Sequence, residues 1–362
     1  MTFWWKKSPK TPGDYVKHLT EQLSKFELSG PDNRKKVQDE CTKYITGTKD
    51  FMLGETDPAP TSEAIDELYS AIYEADLLYD LLLHLHELDF ESRKDVALIF
   101  ATCLRRSKDN KFTTVDYLVT KPKILSYMLR VSELALNKLH GTEIFLTVGG
   151  MILESMKYEQ LCRLFLRNSQ IWNFFEFARL GSFEVSTESL QILTELFTTH
   201  TKLVATEFFN QDANIKKFID RINMLMAHGN YVTKRQSVKL LRTMILNRAY
   251  GQLMNNYINS PENLKLSMIL LSDRSKNLQL ESFNVFKVVV ANPRKSKPVL
   301  DILIKNRDKL LKFFENFGLD TKDSTLLDEK EFVVAQIEGL PRLMSSNTEN
   351  NLGSSPQKNV IV

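Results

Sequence analysis

The strongest constraint on this chain is a spacing. Five stretches carry the same apolar triplet, beginning at Val96, Phe145, Leu190, Val238 and Phe283. Three residues on stand Ile99, Val148, Leu193, Leu241 and Phe286, and seven residues on stand Cys103, Ile152, Phe197, Ile245 and Val290. Positions i, i+3 and i+7 share one face of an α-helix, so each triplet predicts an amphipathic helix with one buried stripe. The triplets recur after 49, 45, 48 and 45 residues. Armadillo and HEAT repeats, each of two or three helices, have periods of about 40–47 residues. A single unit of this kind cannot bury its stripe, whereas stacked neighbours share a continuous core. The expected fold is therefore all-α, a curved right-handed α-solenoid of armadillo/HEAT-like repeats.

The rest of the chain fits that reading. Thr11-Pro12 opens a helix to about Phe26 with Val16, Leu19 and Leu23 inward, and a second helix runs from about Pro31 to Leu53. Pro58 and Pro60 mark a loop over 54–61, and helical patterns then continue to about Leu340 without a convincing run of alternating strand residues. This predicts an N-terminal segment 1–11, whose Phe3, Trp4 and Trp5 fold back onto the first helix. A single repeat domain follows over 12–340. The last segment, 341–362, is rich in Ser and Asn, has little to bury, and reads as a disordered tail. Ser354-Ser355-Pro356 within it fits a phosphate-acceptor pattern that is common by chance.

Enzyme signatures are missing from the sequence. It has no HExxH, GxSxG, Walker loop or kinase signature set. His84 and His86 are two apart and so point to different faces of a helix. Cys41, Cys103 and Cys162 are odd in number and far apart, which argues against disulfides and structural zinc and suits a reducing compartment. The acidic cluster at Asp320 lacks the alternating ligands, Gly and terminal Glu of an EF-hand, so no calcium site and no cofactor are expected. Gly149-Gly150 lies inside an apolar helical pattern and predicts a close helix–helix approach. No run reaches the ~18 apolar residues of a membrane span. A cytoplasmic protein without membrane insertion follows.

The most informative surface lies between Asn230 and Tyr250. It holds Lys234, Arg235, Lys239, Arg242 and Arg248 and no acid. Arg235, Lys239 and Arg242 fall on one helix face and the Val238 triplet on another. By spacing alone, a solvated face is the commoner account of such a stripe. Beside an apolar groove it makes a peptide site, with Val238–Ile245 and Leu264–Leu271 as candidate walls. Net charge is only +3, so attraction to nucleic acid has little support.

Several segments, in order, carry a resemblance. KSPKTPGDYVKHL, LDFESRKDVALIFATCLRR, WNFFEFARLGSFEVSTESLQ, NYVTKRQSVKLL, YINSPENLKL and LSDRSKNLQLESFNVFKVVVANP resemble the mouse protein 25 family, also called calcium-binding protein 39, with HymA-like fungal members. The resemblance runs from the first residues to about Leu340. It implies a horseshoe-shaped, non-catalytic scaffold whose concave face holds a Ste20/germinal-centre-class kinase or pseudokinase in its active-like conformation. It also implies a C-terminal pocket for a Trp-Glu-Phe tail motif. In fungi such a protein serves morphogenesis networks acting on an NDR-type kinase, so enrichment at sites of polarised growth or division is expected. The matching tail-pocket positions are Arg235, Lys239, Lys265 and Met268, with the two cations facing acidic groups and Met268 lining an aromatic pocket. Tyr231, Arg248 and Lys305 match other partner-contact positions. Metazoan members carry Phe at the position of Gly251 and Met at that of Ser267; the first change bears on contact with a third partner and the second on the preferred aromatic. The competing reading is an armadillo-like adaptor for another protein or nucleic-acid partner.

Overall fold

Each apolar triplet lies on its own helix: Phe90–Arg105, Gly141–Met156, Phe183–Thr198, Tyr231–Leu246 and Lys276–Ala291. Every one of the triplet side chains is buried, none more than 4% exposed. Four of these helices begin with a side-chain cap. Asp89, Ser182, Asn230 and Ser275 accept from the backbone N–H of Ser92, Val185, Thr233 and Leu278, each worth about 1 kcal/mol. Gly141–Met156 starts differently. Its N-cap His140 has φ 57, and a Cβ on the following Gly141 would stand 2.0 Å from the Ala135 carbonyl oxygen. Only glycine fits there.

The computed structural model describes residues 11–137, 139–319 and 322–342. Phe3, Trp4, Trp5, Asp320 and the Ser354–Pro356 pattern lie outside them. Among the described residues the extended pairing is confined to an isolated bridge between Lys108 and Lys111. The first helix ends at Leu23, before the expected Phe26, and a short turn over Lys25–Leu28 follows. Val16, Leu19 and Leu23 are buried as its period requires.

The helices gather into two compact units, 1–200 and 201–362. In the first, Pro31–Leu53, Phe90–Arg105, Gly141–Met156 and Phe183–Thr198 form a ladder in which each helix packs on the next. Pro122–Ala135 and Glu159–Leu166 pack against Gly141–Met156, and Asn173–Leu180 against Phe183–Thr198, as a second layer. In the second unit Tyr231–Leu246 packs on Lys276–Ala291, and that helix on Ser324–Glu338. Asp212–His228, Pro261–Leu271 and Lys297–Asn316 form its second layer. The core of this unit joins Leu264, Met268 and Leu271 to Phe283, Phe286, Val289 and Phe314.

Polar side chains close the gaps between rungs. Lys49 Nζ lies 3.3 Å from Asp95. Arg93, almost wholly buried, donates to Glu143 at 3.1 Å and to the Leu88 carbonyl at 3.0 Å. Arg307 donates to the carbonyls of Glu338 and Leu340, which the last helix would otherwise leave unpaired. The three cysteines are free and buried, and burial pushes the Cys41 and Cys162 thiols up to about 12. They are core side chains rather than nucleophiles.

Asp76 is a polar node of the first unit. It takes a left-handed backbone, φ 51, and accepts from the Tyr117 hydroxyl at 2.7 Å, with Lys121 and Lys123 each 3.0 Å away. Partial burial opposes its ionisation, but these donors outweigh that and hold the carboxyl at about 2.

Two outcomes follow from the packing. Leu241→Ala or Phe286→Ala should each cost about 2–5 kcal/mol in urea unfolding, because each opens a cavity between rungs. Asp76 has a folded pKa below its unfolded one. Its contribution is therefore complete above the ordinary carboxylate pKa of 3.8 and is lost as pH falls through about 2. Asp76→Asn should lower stability at neutral pH and flatten the acid limb of a stability–pH profile.

Candidate partner-binding surface

The Tyr231–Leu246 helix opens with Asn230 as cap and turns its Val238 stripe into the core. What remains outward is its cationic face. Lys239 is exposed and Arg235 half-buried one turn away, and neither forms an ion pair among the described residues. Arg242, the third member of the expected stripe, is committed elsewhere. Its Nε lies 3.4 Å from Glu281 Oε2 on the next ladder helix, an ion pair held by charge alone, since neither buried atom has a hydrogen-bond partner. The face available to a ligand is thus the Arg235–Lys239 pair, and the three-residue stripe is corrected to two.

Tyr231 sits at the first turn of the same helix, half exposed, and its hydroxyl accepts from Ser275 Oγ at 3.3 Å. This ties the start of one ladder helix to the cap of the next. The Ser275 bond, a second from Asn277 and the nearby Arg235 charge hold its phenol below the usual tyrosine range. Tyr231, Arg235 and Lys239 therefore make one contiguous strip.

The other four expected residues do not join that strip on the same helix. Lys265 is exposed on Pro261–Leu271, one layer behind, and Lys305 is exposed on Lys297–Asn316, which packs against it. Arg248 is exposed at the start of the 3-10 turn Arg248–Tyr250. Met268 is 0% exposed. It sits inside the core with Leu264, Phe283 and Phe286, so it supports the surface from beneath and is not an open pocket wall. The same correction applies to the expected groove. Val238, Leu241, Ile245, Leu264 and Leu271 are all core, because each helix spends its apolar face on its neighbours. The apolar side chain that Pro261–Leu271 does expose is Ile269, 46% accessible and one turn from Lys265. Ser267 is buried and donates to the Asn263 carbonyl at 2.9 Å. At Gly251 a Cβ would meet nothing within 4 Å, so the missing aromatic leaves open space.

Two features were not anticipated. One is the Arg242–Glu281 pair. Its signal is register, since Glu281 stands two residues before Phe283, as Glu143 and Glu188 stand before Phe145 and Leu190. The other is a groove of about 410 Å³ between Lys276–Ala291 and Ser324–Glu338, with Val288, Ala291 and the half-exposed Phe332 as apolar lining. An ion pair of Lys287 with Glu329 sits on its rim. The groove lining holds Phe332 beside two acids, Asp328 and Glu329, and its cation Lys287 is already paired, so it offers an apolar contact and no free positive group for a ligand carboxylate.

Replacing Arg242 by Met should cost about 1–2 kcal/mol by leaving the poorly exposed Glu281 unpaired. A double-mutant cycle with Glu281→Gln, read by thermal unfolding, should recover most of that loss.

Among the described residues no helix is long and apolar enough to cross a membrane, and no group of three His, Cys, Asp or Glu is placed to hold a metal ion. Residues 3–341 match the family described as Mo25-like. The chain is 63% identical to Protein HYM1 of Saccharomyces cerevisiae, over 98% of this chain and 90% of that protein. It is 36% identical to a Mo25-like protein of Schizosaccharomyces pombe, over 94% of this chain and 100% of that protein. It is 33% identical to the conidiophore development protein hymA of Emericella nidulans, over 92% of this chain and 91% of that protein.

Proposed function

Because the chain belongs to the Mo25-like family, we propose that it is a non-catalytic scaffold serving cell morphogenesis, which binds and activates a kinase or pseudokinase of the Ste20/germinal-centre class. The family match over residues 3–341 carries this reading. The name of the hymA relative, a conidiophore development protein, supports its placement in morphogenesis. An NDR-type kinase lies downstream in the network, and the protein acts in the cytoplasm at sites of polarised growth and division. Calcium, cofactors, nucleic acid and membrane insertion have no part in it.

The partner contact has two parts. The kinase fold rests along the exposed faces of the ladder helices. A Trp-Glu-Phe-like tail docks on the second unit, where Arg235 and Lys239 pair with its acidic groups and Tyr231 borders them. Lys265, Arg248 and Lys305 extend the positive rim. Met268 holds the helix that carries Lys265 in place from the core. Charge-assisted contacts of this kind are about twice as strong as neutral hydrogen bonds. Activation needs no reacting group on the scaffold. A surface that binds the active-like conformation more tightly than the inactive one shifts the population by that difference, and tenfold requires only about 1.4 kcal/mol.

A synthetic tail peptide tests the site by calorimetry. Arg235→Ala/Lys239→Ala should weaken it by about 1–3 kcal/mol without changing the unfolding midpoint. Met268→Ala should instead lower stability by about 2–4 kcal/mol, with any loss of binding following the loss of packing. Unchanged peptide affinity in the folded double variant would remove the tail-site assignment. A pull-down from extract, with kinases identified by mass spectrometry, tests the partner class, and the recovery of no kinase would overturn it.

A further inference from the structure

Within the two ladders an ion pair joins successive helices at four junctions, and among the described residues none joins Gly141–Met156 to Phe183–Thr198. In the second unit the cation stands four residues after the triplet anchor: Arg242 after Val238, Lys287 after Phe283. Arg242 meets Glu281 and Lys287 meets Glu329, each on the next ladder helix. In the first unit Lys49 meets Asp95 and Arg93 meets Glu143 across successive rungs. In the first unit that position is Phe100 after Val96, Gly149 after Phe145 and Thr194 after Leu190, so its cations come from other registers, and no cation faces the next rung from Gly149. Facing it from the next rung is Glu188, two before Leu190, in the register of Glu143 and Glu281.

Glu188 lies flat over the glycine. A Cβ on Gly149 would stand 2.5 Å from its Oε1 and 2.8 Å from its Cγ. Beside it, a Cβ on Gly150 would meet nothing within 4 Å. The Glu188 carboxyl is half-buried and has no hydrogen bond or ion pair among the described residues. Burial alone pushes its ionisation upward, with no positive group to offset it. The ladder thus presents a half-buried carboxylate over Gly149, with open space at the Cβ position of Gly150 and no cation paired with it among the described residues.

Resting on the scaffold reading, we propose that Gly149, Gly150 and Glu188 form a notch that receives an arginine side chain of the bound partner protein. The partner supplies in trans the cation that the other rungs supply in cis. Arginine suits the notch better than lysine. Its planar guanidinium can lie against the uncovered backbone at Gly150 and offer two parallel N–H groups to the Glu188 carboxylate. A desolvated, unpaired acid also gives specificity, because a partner without a cation there leaves the acid uncompensated.

Two arms decide it. In the first, affinity for a purified Ste20-class kinase domain lacking its tail is measured for the wild type, Glu188→Gln and Gly150→Arg. Glu188→Gln should weaken binding roughly tenfold with a shallower salt dependence, and Gly150→Arg should block the notch with its own cation. Both variants should keep wild-type affinity for the tail peptide, which shows that they are folded. Equal kinase affinity in wild type and Glu188→Gln overturns the proposal. In the second, the chain carries 13C-labelled glutamate and is titrated with N-ethylguanidinium. The Glu188 carboxyl signal, assigned by its loss in Glu188→Gln, should shift saturably in the wild type and not in Gly150→Arg. A linear drift shared with the surface glutamates overturns the notch. If the wild type binds no kinase, the scaffold reading fails, and this second arm alone upholds or removes the notch.

Discussion

Burial of one apolar stripe between successive ladder helices is the interaction on which everything else here depends. No triplet helix can hide Val238, Leu241 and Ile245, or their counterparts, within its own repeat, so each rung is completed by its neighbours. The approach is close enough that small side chains precede three of the anchors. Ser189, Ser237 and Ser282 are all buried. Gly149 carries this furthest, with a glutamate side chain lying over its backbone. Each helix turns its triplet stripe onto its neighbours, and that explains why the expected groove between Val238–Ile245 and Leu264–Leu271 is core.

Recognition must then use what the core leaves over. On the ladder helices that is charge together with single exposed apolar side chains such as Phe90, Phe183 and Leu246, and rung-to-rung ion pairs already engage part of the charge. Arg93, Arg242 and Lys287 are engaged in this way. Arg235 and Lys239 are not, which separates cations that hold the stack from cations that can meet a ligand. Glu188 is the same distinction with the sign reversed. Exposed apolar side chains are scattered over both units, Phe90, Leu180 and Phe183 in the first and Leu246, Ile269 and Phe332 in the second among them.

On the proposed scaffold reading the protein acts by differential affinity. It has no need of a reactive group, and its cysteines are core side chains whose thiols burial keeps protonated. Control therefore resides in surface chemistry: which cations are free, which acid lacks a partner, and where a partner's aromatic can rest. The relatives at 33–63% identity match over 92–98% of the chain, the length that this stack occupies.

Period and amphipathicity are properties of the chain itself, so the helices and their buried triplets were readable from residue order alone, whereas the caps at Asp89, Ser182, Asn230 and Ser275 emerge from the structure. The family was readable too, because several segments match in order. The state of each site residue was not. Lys239 and Arg242 look alike in sequence, yet one is free and the other paired, because Glu281 arrives from another helix. Met268 reads equally as pocket wall or core, and only the packing of Phe283 and Phe286 around it decides for core. Glu188 looks like an ordinary surface acid until Gly149 is found beneath it. Local periodicity dictates which way a side chain points from its own helix. What it meets there is set by residues some forty positions away, and only the tertiary stack brings those together.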